Sequence, residues 1–515
     1  MFEQASSADK ASSSVQAPSP SYGLLRRIAG NDLMNLSLLS FVSLLFSDLR
    51  NPVGMLTDPD IWWHIANGRI VDQARHFIRI EPYSFTVQGQ PWIDPEWLSG
   101  LIYWLAYKHL ALVGIYLVAA ACILGNVFLV YARSCMRGAS GSASLWISAL
   151  GVLLMSVNAS ARMILFGYIL LSLEMAIIER DQRNPTRLVW LLPSLFCLWI
   201  NLHGTWVIGL SVFVLYAACG WVRFHRGVFA QERLPGAQRI RHLFVIAVSL
   251  PMLFLNPYGW RLLWNPVDMA LGQKLNIATV QEWQPLSLNE VVGKFVVLSI
   301  LLLLVANCLR GHMWKLFDLM LVVFAWYSAF AHARFTFLAA VLVVPVVATD
   351  VTTAFSRTEQ AKHHPMFLAN VVAALGAIVV FAVAFPRQAV LETRMAEALP
   401  LAAIAHLQPE WRTFNQDGFG GPMDFESKPA FIDSRFDTFE HHGVMKDYLD
   451  IIQIKDSIRV LDRYRIDHVL IQEHQALAYL LEHSTGWRVV QSGGEGEGSW
   501  VLIARTPLAA AAQPR

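Results

Sequence analysis

Long apolar runs recur along most of this chain and constrain its fold more than any other feature. A run of about 20 apolar residues is long enough to cross the hydrocarbon core of a bilayer as a helix. About eleven segments approach this length, at 33–50, 98–131, 143–160, 163–178, 188–202, 204–222, 242–256, 291–309, 316–331, 335–349 and 366–385. They predict an all-α polytopic membrane domain over residues 33–385.

Composition agrees with this fold class and narrows the possible partners. Of the 515 residues, 55% are hydrophobic and only 15% are charged, whereas soluble domains carry about 25% charged residues. The net charge of +2 predicts no nucleic-acid partner, because proteins that bind nucleic acids present a strongly basic surface. The five cysteines all lie in or beside apolar segments, which argues against a disulfide framework and a cysteine metal site.

The segment 98–131 has two interpretations. It fits one long tilted helix, or an interfacial helix at 96–109 followed by a crossing at 111–131. Both contain a single crossing, so the total stays odd.

Basic residues indicate the orientation, because cytoplasmic loops of membrane proteins are enriched in Lys and Arg. Such residues cluster in alternate loops, for example at Arg180, Arg183 and Arg187. This pattern predicts that residues 1–32 form a disordered cytoplasmic N-terminus. It also predicts that the loops 51–97 and 257–290 and the region 386–515 lie outside.

Residues 386–515 are predicted to form a small extracytoplasmic α/β domain. Alternating apolar residues indicate strands at 431–432, 468–471, 487–491 and 500–504, and 446–464 has helical spacing. The glycine-rich stretch 415–421 predicts a tight turn, because its spacing fits no phosphate-binding loop. The polar residues within 431–437 are candidates to face the membrane domain.

Carboxylates are concentrated in the first outer loop, near the predicted membrane boundary. Asp58 and Asp60 stand in Thr57-Asp58-Pro59-Asp60-Ile61-Trp62-Trp63-His64, and Asp94 and Glu96 stand in Trp92-Ile93-Asp94-Pro95-Glu96-Trp97. Carboxylates at this depth are costly unless they are paired or functional. They suit a general base or oxygen ligands of a metal. The alternative is that Asp58, Asp60 and Asp94 cap the helices that follow.

Basic side chains in the outer loops form a second group of candidates. Arg162, His203, His332 and Arg334 fall in short outer turns, against the usual charge distribution. An anionic partner such as a lipid phosphate explains them; ion pairs with loop carboxylates or snorkelling into headgroups explain them equally well. Glu282, in Gln281-Glu282-Trp283, is either a ligand of sugar hydroxyls or a solvated or capping loop acid.

The acidic pair after the first apolar segment, the helical stretch that follows it and the acid-bearing segment 92–98 together resemble the GT-C superfamily. These membrane glycosyltransferases use sugars linked to polyprenyl phosphate. The resemblance covers residues 30–385, and an outer C-terminal domain fits it too. It implies that Asp58 or Asp60 is the catalytic base, and that the donor phosphate is held by Arg162, Arg334 and His332.

The remaining expectations concern the acceptor, the cofactor and the location. His64, Asp94, Glu96, His203 and Glu282 are expected to bind the acceptor or the sugar. The resemblance implies a divalent cation (Mg²⁺ or Mn²⁺) at Asp58 and Asp60, although the second acid-x-acid motif of oligosaccharyltransferases is absent. It also implies a bacterial inner membrane, and a glycan, lipid or protein acceptor. A transporter or flippase, and a polysaccharide polymerase or ligase, remain as alternatives.

Overall fold

The structure, a computed structural model, describes residues 32–47, 49–310, 313–355 and 367–506. The segment predicted to be disordered, 1–32, lies outside these residues except for Asp32. The helices of the first half are α1 (Asp32–Phe46), α2 (Pro52–Leu56), α3 (Pro59–Ala74), α4 (Trp97–Met136), α5 (Gly141–Met155), α6 (Ile164–Arg183), α7 (Leu192–Leu202), α8 (Trp206–Cys219) and α9 (Gly236–Met252). A short hairpin, β1 (Phe224–Arg226) and β2 (Phe229–Gln231), joins α8 to α9.

The second half begins with two helices of the loop 257–290 and continues into the C-terminal region. Its helices are α10 (Trp260–Leu271), α11 (Lys274–Thr279), α12 (Val291–Arg310), α13 (Leu316–Ala331), α14 (Ala333–Phe355), α15 (Phe367–Ala384), α16 (Gln388–Ala398), α17 (Leu401–His406), α18 (Asp417–Phe425), α19 (Phe436–His441), α20 (Val444–Ile452), α21 (Ser457–Arg463) and α22 (Ala476–Glu482). Its strands are β3 (Thr413–Asn415), β4 (His468–Gln472), β5 (Trp487–Gly493) and β6 (Trp500–Arg505).

Each of the predicted apolar segments contains a helix. Within the described residues, α4, α12 and α14 are long and apolar enough to cross a membrane, and α15 with α16, bent by 53°, form a fourth candidate. Other apolar helices are shorter; α1 and α5 have 15 residues each, a length of about 22 Å. The number of crossings, about eleven, therefore stays a prediction.

Helix α4 is broken at Ala111, whose φ of 51° and ψ of −140° are not helical. Two consecutive helices meet at this residue. The structure thus has the two-part arrangement that the sequence left as one alternative for this segment.

The helical region exposes a large aliphatic surface. On α15, Leu368, Val372 and Val383 are 75%, 60% and 82% exposed. Such a surface is unfavourable in water and favourable against lipid tails. The apolar helices and this surface together make the chain a membrane protein.

The C-terminal region contains a four-stranded mixed sheet in the order β3-β4-β6-β5, with β3 parallel to β4 and the other neighbours antiparallel. The predicted strands at 468–471, 487–491 and 500–504 are present. The predicted helix at 446–464 is instead two helices, α20 and α21, because the chain turns between them at Ile454, whose φ is 53°.

Two local predictions for this region are wrong. Residues 431–432 do not form a strand, because the Phe431 N–H donates to Asn415 Oδ1 at 2.7 Å rather than to a neighbouring strand. The stretch 415–421 is not a tight turn but leads into α18. A Cβ at Gly421 would lie 2.1 Å from the carbonyl oxygen of Pro59, so this glycine permits close packing rather than a turn.

The C-terminal region packs directly on the first loop. Arg69 Nη2 donates to the carbonyl oxygen of Phe425 at 2.7 Å, and Trp62 packs edge-on against the Phe425 ring at 5.3 Å. Thr86 Oγ1 donates to the carbonyl oxygen of Phe431 at 2.7 Å. These contacts bring side chains of the C-terminal region to the helix that carries the acidic pair.

Candidate functional site

Asp58 is the N-cap of α3. Its Oδ1 accepts a hydrogen bond from the Asp60 N–H at 3.1 Å, as expected of a capping acid. Its Oδ2 accepts from Arg162 Nε at 2.5 Å and from Ser160 Oγ at 3.3 Å. Both oxygens are engaged, so Asp58 anchors the start of α3 to the turn that precedes α6.

Asp60 lies in the first turn of α3 and contributes to the wall of a large cavity. Burial and the charge of Asp58 raise its pKa from 3.8 to about 6, against the opposing effect of Arg162. The neighbouring Trp63 Nε1 is 3.4 Å from its Oδ1 and donates to Ser434 Oγ at 3.1 Å. A carboxylate with a pKa near 6 is suited to accept a proton at neutral pH.

Arg162, Glu282 and Arg334 form a chain of ion pairs along the cavity wall. Arg162 Nη1 is 2.5 Å from Glu282 Oε2, and Arg334 Nη1 is 3.1 Å from Glu282 Oε1. The Arg334 guanidinium also lies over the Trp283 ring, 4.0 Å from its centroid. Burial alone would raise the pKa of Glu282, but the two arginines outweigh it and hold that pKa below its usual value. Both outer arginines are thus paired with loop carboxylates.

Glu96 lies between two histidines. Its carboxylate oxygens are 3.1 Å from His64 Nε2 and 3.1 Å from His203 Nε2. Burial favours a higher pKa for Glu96, but attraction to His203 and His64 holds the pKa below its usual value. Burial lowers the pKa of His203 in spite of Glu96. His64 is further fixed by stacking on Trp63 at 3.5 Å.

Asp94 and His332 lie away from the cavity wall. Asp94 is 1% exposed; it accepts from Asn67 Nδ2 at 3.0 Å and from the Glu96 N–H at 3.0 Å. Burial raises its pKa. It therefore stabilises the turn that precedes α4, whose N-cap is Glu96 and not Asp94. His332 Nδ1 is 2.5 Å from the carbonyl oxygen of Trp283 and holds the segment that carries Glu282.

The cavity has a volume of about 720 Å³ and lies between the first loop, the loop 257–290 and the C-terminal region. Six of the ten predicted site residues form part of its wall, namely Asp60, His64, Glu96, Arg162, Glu282 and Arg334. The other four, Asp58, Asp94, His203 and His332, lie behind that wall as partners of its residues.

Several other residues of the wall were either missed or given only as part of the polar run 431–437. Trp92, Asn265 and Asn276 come from the two loops, and Arg435 and Asp437 come from the segment after residue 430. Arg435 is buried beside three acids, Glu81, Asp424 and Asp433, and its Nη2 is 2.7 Å from Glu81 Oε1. The polar run 433–437 was the only signal for this contribution, and it does not reveal the partner in the first loop.

The arrangement of acids does not fit a divalent cation. Mg²⁺ and Mn²⁺ bind through several oxygen ligands, whereas both oxygens of Asp58 are engaged by Arg162, Ser160 and a backbone N–H. Among the residues that the structure describes, no three His, Cys, Asp or Glu side chains are grouped to hold a metal ion.

No protein-family model matches the sequence, and no curated protein is similar to it in sequence. Solved structures with similar folds include an oligosaccharyltransferase and an arabinofuranosyltransferase. The oligosaccharyltransferase AglB from Archaeoglobus fulgidus, in complex with an inhibitory peptide and a dolichol-phosphate, superposes with a TM-score of 0.50 at 10% identity, over 86% of this chain and 69% of its own. ArnT from Cupriavidus metallidurans, bound to undecaprenyl phosphate, has a TM-score of 0.48 at 14% identity, over 93% of this chain and 99% of its own. The likeness to AglB shows that the two chains share a fold.

Proposed function

We propose that this protein transfers a sugar from a polyprenyl-phosphate-linked donor to an acceptor on the outer face of a bacterial inner membrane. The observation that carries the proposal is one cavity whose wall combines Asp60, a carboxylate with a pKa of about 6, with Arg162 and Arg334. This pairing provides a proton acceptor and positive charge for a phosphate leaving group.

The proposed reaction is a displacement at the anomeric carbon. Asp60 takes the proton of an acceptor hydroxyl as the acceptor oxygen forms its bond to that carbon. The bond from the anomeric carbon to the phosphate oxygen breaks, and its electron pair leaves with the polyprenyl phosphate. Asp58 does not exchange protons in this scheme; it positions Asp60 by capping α3 and aligns Arg162.

Arg334 is the proposed contact for the donor phosphate. It lies on the cavity wall, where Glu282 and the Trp283 ring fix its guanidinium. Guanidinium groups bind phosphate oxygens through charge-assisted hydrogen bonds. The phosphate then competes with Glu282 for this guanidinium. Arg162 remains paired with Asp58 and contributes positive potential to the cavity. His332 acts by holding the Trp283 backbone.

The acceptor side of the cavity is proposed to include His64 and Glu96, with His203 behind them. The His64–Glu96–His203 arrangement presents hydrogen-bonding groups whose positions are fixed by their neighbours. The dolichol-phosphate bound to AglB, which shares this fold, favours a lipid-linked donor.

The test is a transfer assay with the purified protein in lipid nanodiscs, labelled polyprenyl-phosphate sugars and a panel of glycan, lipid and peptide acceptors. Wild type is expected to release polyprenyl phosphate in step with labelled product. Asp60→Asn is expected to reduce turnover by about 10³-fold, and Arg334→Ala to raise the KM for the donor. Glu473→Gln, at an exposed residue that is not part of the cavity wall, is the control and should match wild type. Absence of turnover with every donor, or full activity of Asp60→Asn, contradicts the proposal.

A further inference from the structure

A second, smaller cavity adjoins the main one. It has a volume of about 250 Å³ and is formed between α10, the segment 91–93 and α19. Trp92, Asn265 and Asp437 belong to the walls of both cavities. The two spaces are therefore neighbours that share one boundary, and a group bound in the side cavity reaches that boundary.

Two buried polar groups of the side cavity lack partners. Trp92 is 6% exposed and Thr438 is 5% exposed. The Trp92 Nε1 and the Thr438 Oγ1 have no hydrogen-bond partner among the described residues. A buried donor without an acceptor is costly, and groups of this kind in a cavity wall are commonly satisfied by a ligand or by water.

The remaining wall combines an aromatic face with planar hydrogen-bonding groups. Trp264 is 55% exposed although it belongs to the cavity wall. Asp268 is paired with His441 at 2.8 Å, and burial raises the pKa of Asp437 to about 6. Among the described residues, this wall contains one arginine, Arg261, together with the acids Asp268 and Asp437. The acids would repel a phosphate group, so the side cavity does not suit one.

This set of groups suits a sugar ring. The apolar C–H face of a pyranose or furanose packs on an indole ring, and its hydroxyls both donate and accept hydrogen bonds, as carboxylate, amide and indole groups require. A volume of about 250 Å³ accommodates one ring better than an extended peptide. The charged groups in the wall, Arg261, Asp268 and Asp437, do not suit a lipid tail.

We propose that the side cavity binds the acceptor as a carbohydrate, with a sugar ring on Trp264 and its hydroxyls on Asn265 and Asp437. This inference rests on the proposed function, since it supplies the second substrate of that reaction. From this position one acceptor hydroxyl crosses the shared boundary toward Asp60. The acceptor is then an envelope glycan or glycolipid whose terminal sugar enters the side cavity, rather than a polypeptide.

The test measures binding without requiring catalysis. Saturation-transfer NMR on the protein in nanodiscs uses methyl glycosides of common hexoses and pentoses as probes, with a short acetylated peptide amide as the other acceptor class. At least one glycoside is expected to give saturation transfer. Trp264→Ala and Asp437→Asn should weaken its Kd about tenfold, and Trp264→Phe should retain most of the affinity. Trp146→Ala removes a tryptophan that is 70% exposed on α5 and should leave the Kd unchanged.

The outcomes separate this inference from the proposed function. Glycoside binding that survives in Asp60→Asn but weakens in Trp264→Ala supports the side cavity even where no transfer is detected. Saturation transfer to the peptide alone, or to no probe, overturns the carbohydrate assignment. Equal affinities of wild type, Trp264→Ala and Asp437→Asn overturn it as well, whatever the transfer assay shows. Thermal unfolding of each variant checks that it is folded.

Discussion

Replacing Asp60 by asparagine is expected to stabilise the protein at neutral pH. Burial and the charge of Asp58 raise the pKa of Asp60 from 3.8 to about 6, so the ionised form is less favourable in the folded chain than in the unfolded chain. Each pKa unit corresponds to about 1.4 kcal/mol. The shift of about two units means that Asp60→Asn should raise the free energy of unfolding at pH 7.5 by up to about 3 kcal/mol.

This gain should depend on pH in a defined direction. Between about pH 3.8 and pH 6 the folded wild type holds a proton on Asp60 that the unfolded chain has lost. The free energy of unfolding of the wild type therefore rises as the pH falls through 6. The cost of keeping Asp60 ionised in the folded chain has largely disappeared by about pH 4. The variant has no group that titrates at this position. The difference between the two proteins should thus be largest above pH 7 and close to zero at pH 4.

The assay is denaturant unfolding in detergent micelles, followed by tryptophan fluorescence at pH 4, 6 and 7.5. Asp58→Asn is the matched control and should change stability with the opposite sign. It keeps a capping side chain but loses the charge that pairs with Arg162 at 2.5 Å, for a loss of about 2 kcal/mol. The burial argument would be refuted if Asp60→Asn were no more stable than wild type at pH 7.5. It would also be refuted if the difference in the free energy of unfolding were the same at all three pH values.

Two further substitutions test how the C-terminal region supports the site. Arg435→Gln leaves the buried carboxylate of Glu81 (2.7 Å away) without its cation, and should lower the free energy of unfolding by about 3 to 5 kcal/mol in the same denaturant assay. Gly421→Ala places a Cβ against the Pro59 carbonyl oxygen and should lower both the melting temperature and the transfer rate. Gly418→Ala, which meets nothing within 4 Å, should change neither; equal effects of the two alanines would contradict the packing argument.

The apolar segments made the helical fold predictable. Segment length and hydropathy placed a helix in each expected position because burial in lipid dominates those stretches. They did not determine how many helices cross the membrane. In the C-terminal region, local patterns failed where a distant side chain took over a backbone role, as Asn415 does for the Phe431 N–H.

The sequence predicted which residues gather at the candidate site. It did not predict which of them lies in the cavity wall and which supports a wall residue from behind. Predicted topology brought the outer acids, arginines and histidines to one side, and six of them reach one cavity. The sequence could not separate Asp58 from Asp60, because the difference lies in a partner 104 positions away, Arg162. It could not connect Arg435 to Glu81 either, since a single sequence carries no record of contacts between residues 354 positions apart.

Two contacts hold helix α3 in place. Asp58 pairs with Arg162 at the start of the helix, and Arg69 donates to the Phe425 carbonyl oxygen farther along it. Neither the side cavity nor its Trp264 takes part in these contacts. Under the proposed function, the reactive carboxylate lies on α3, whereas the aromatic face proposed for the acceptor, Trp264, lies on α10. Exchange of α10 alone, which leaves Glu282 and its pairs with Arg162 and Arg334 in place, should then change the preferred glycan while the proton acceptor is unchanged.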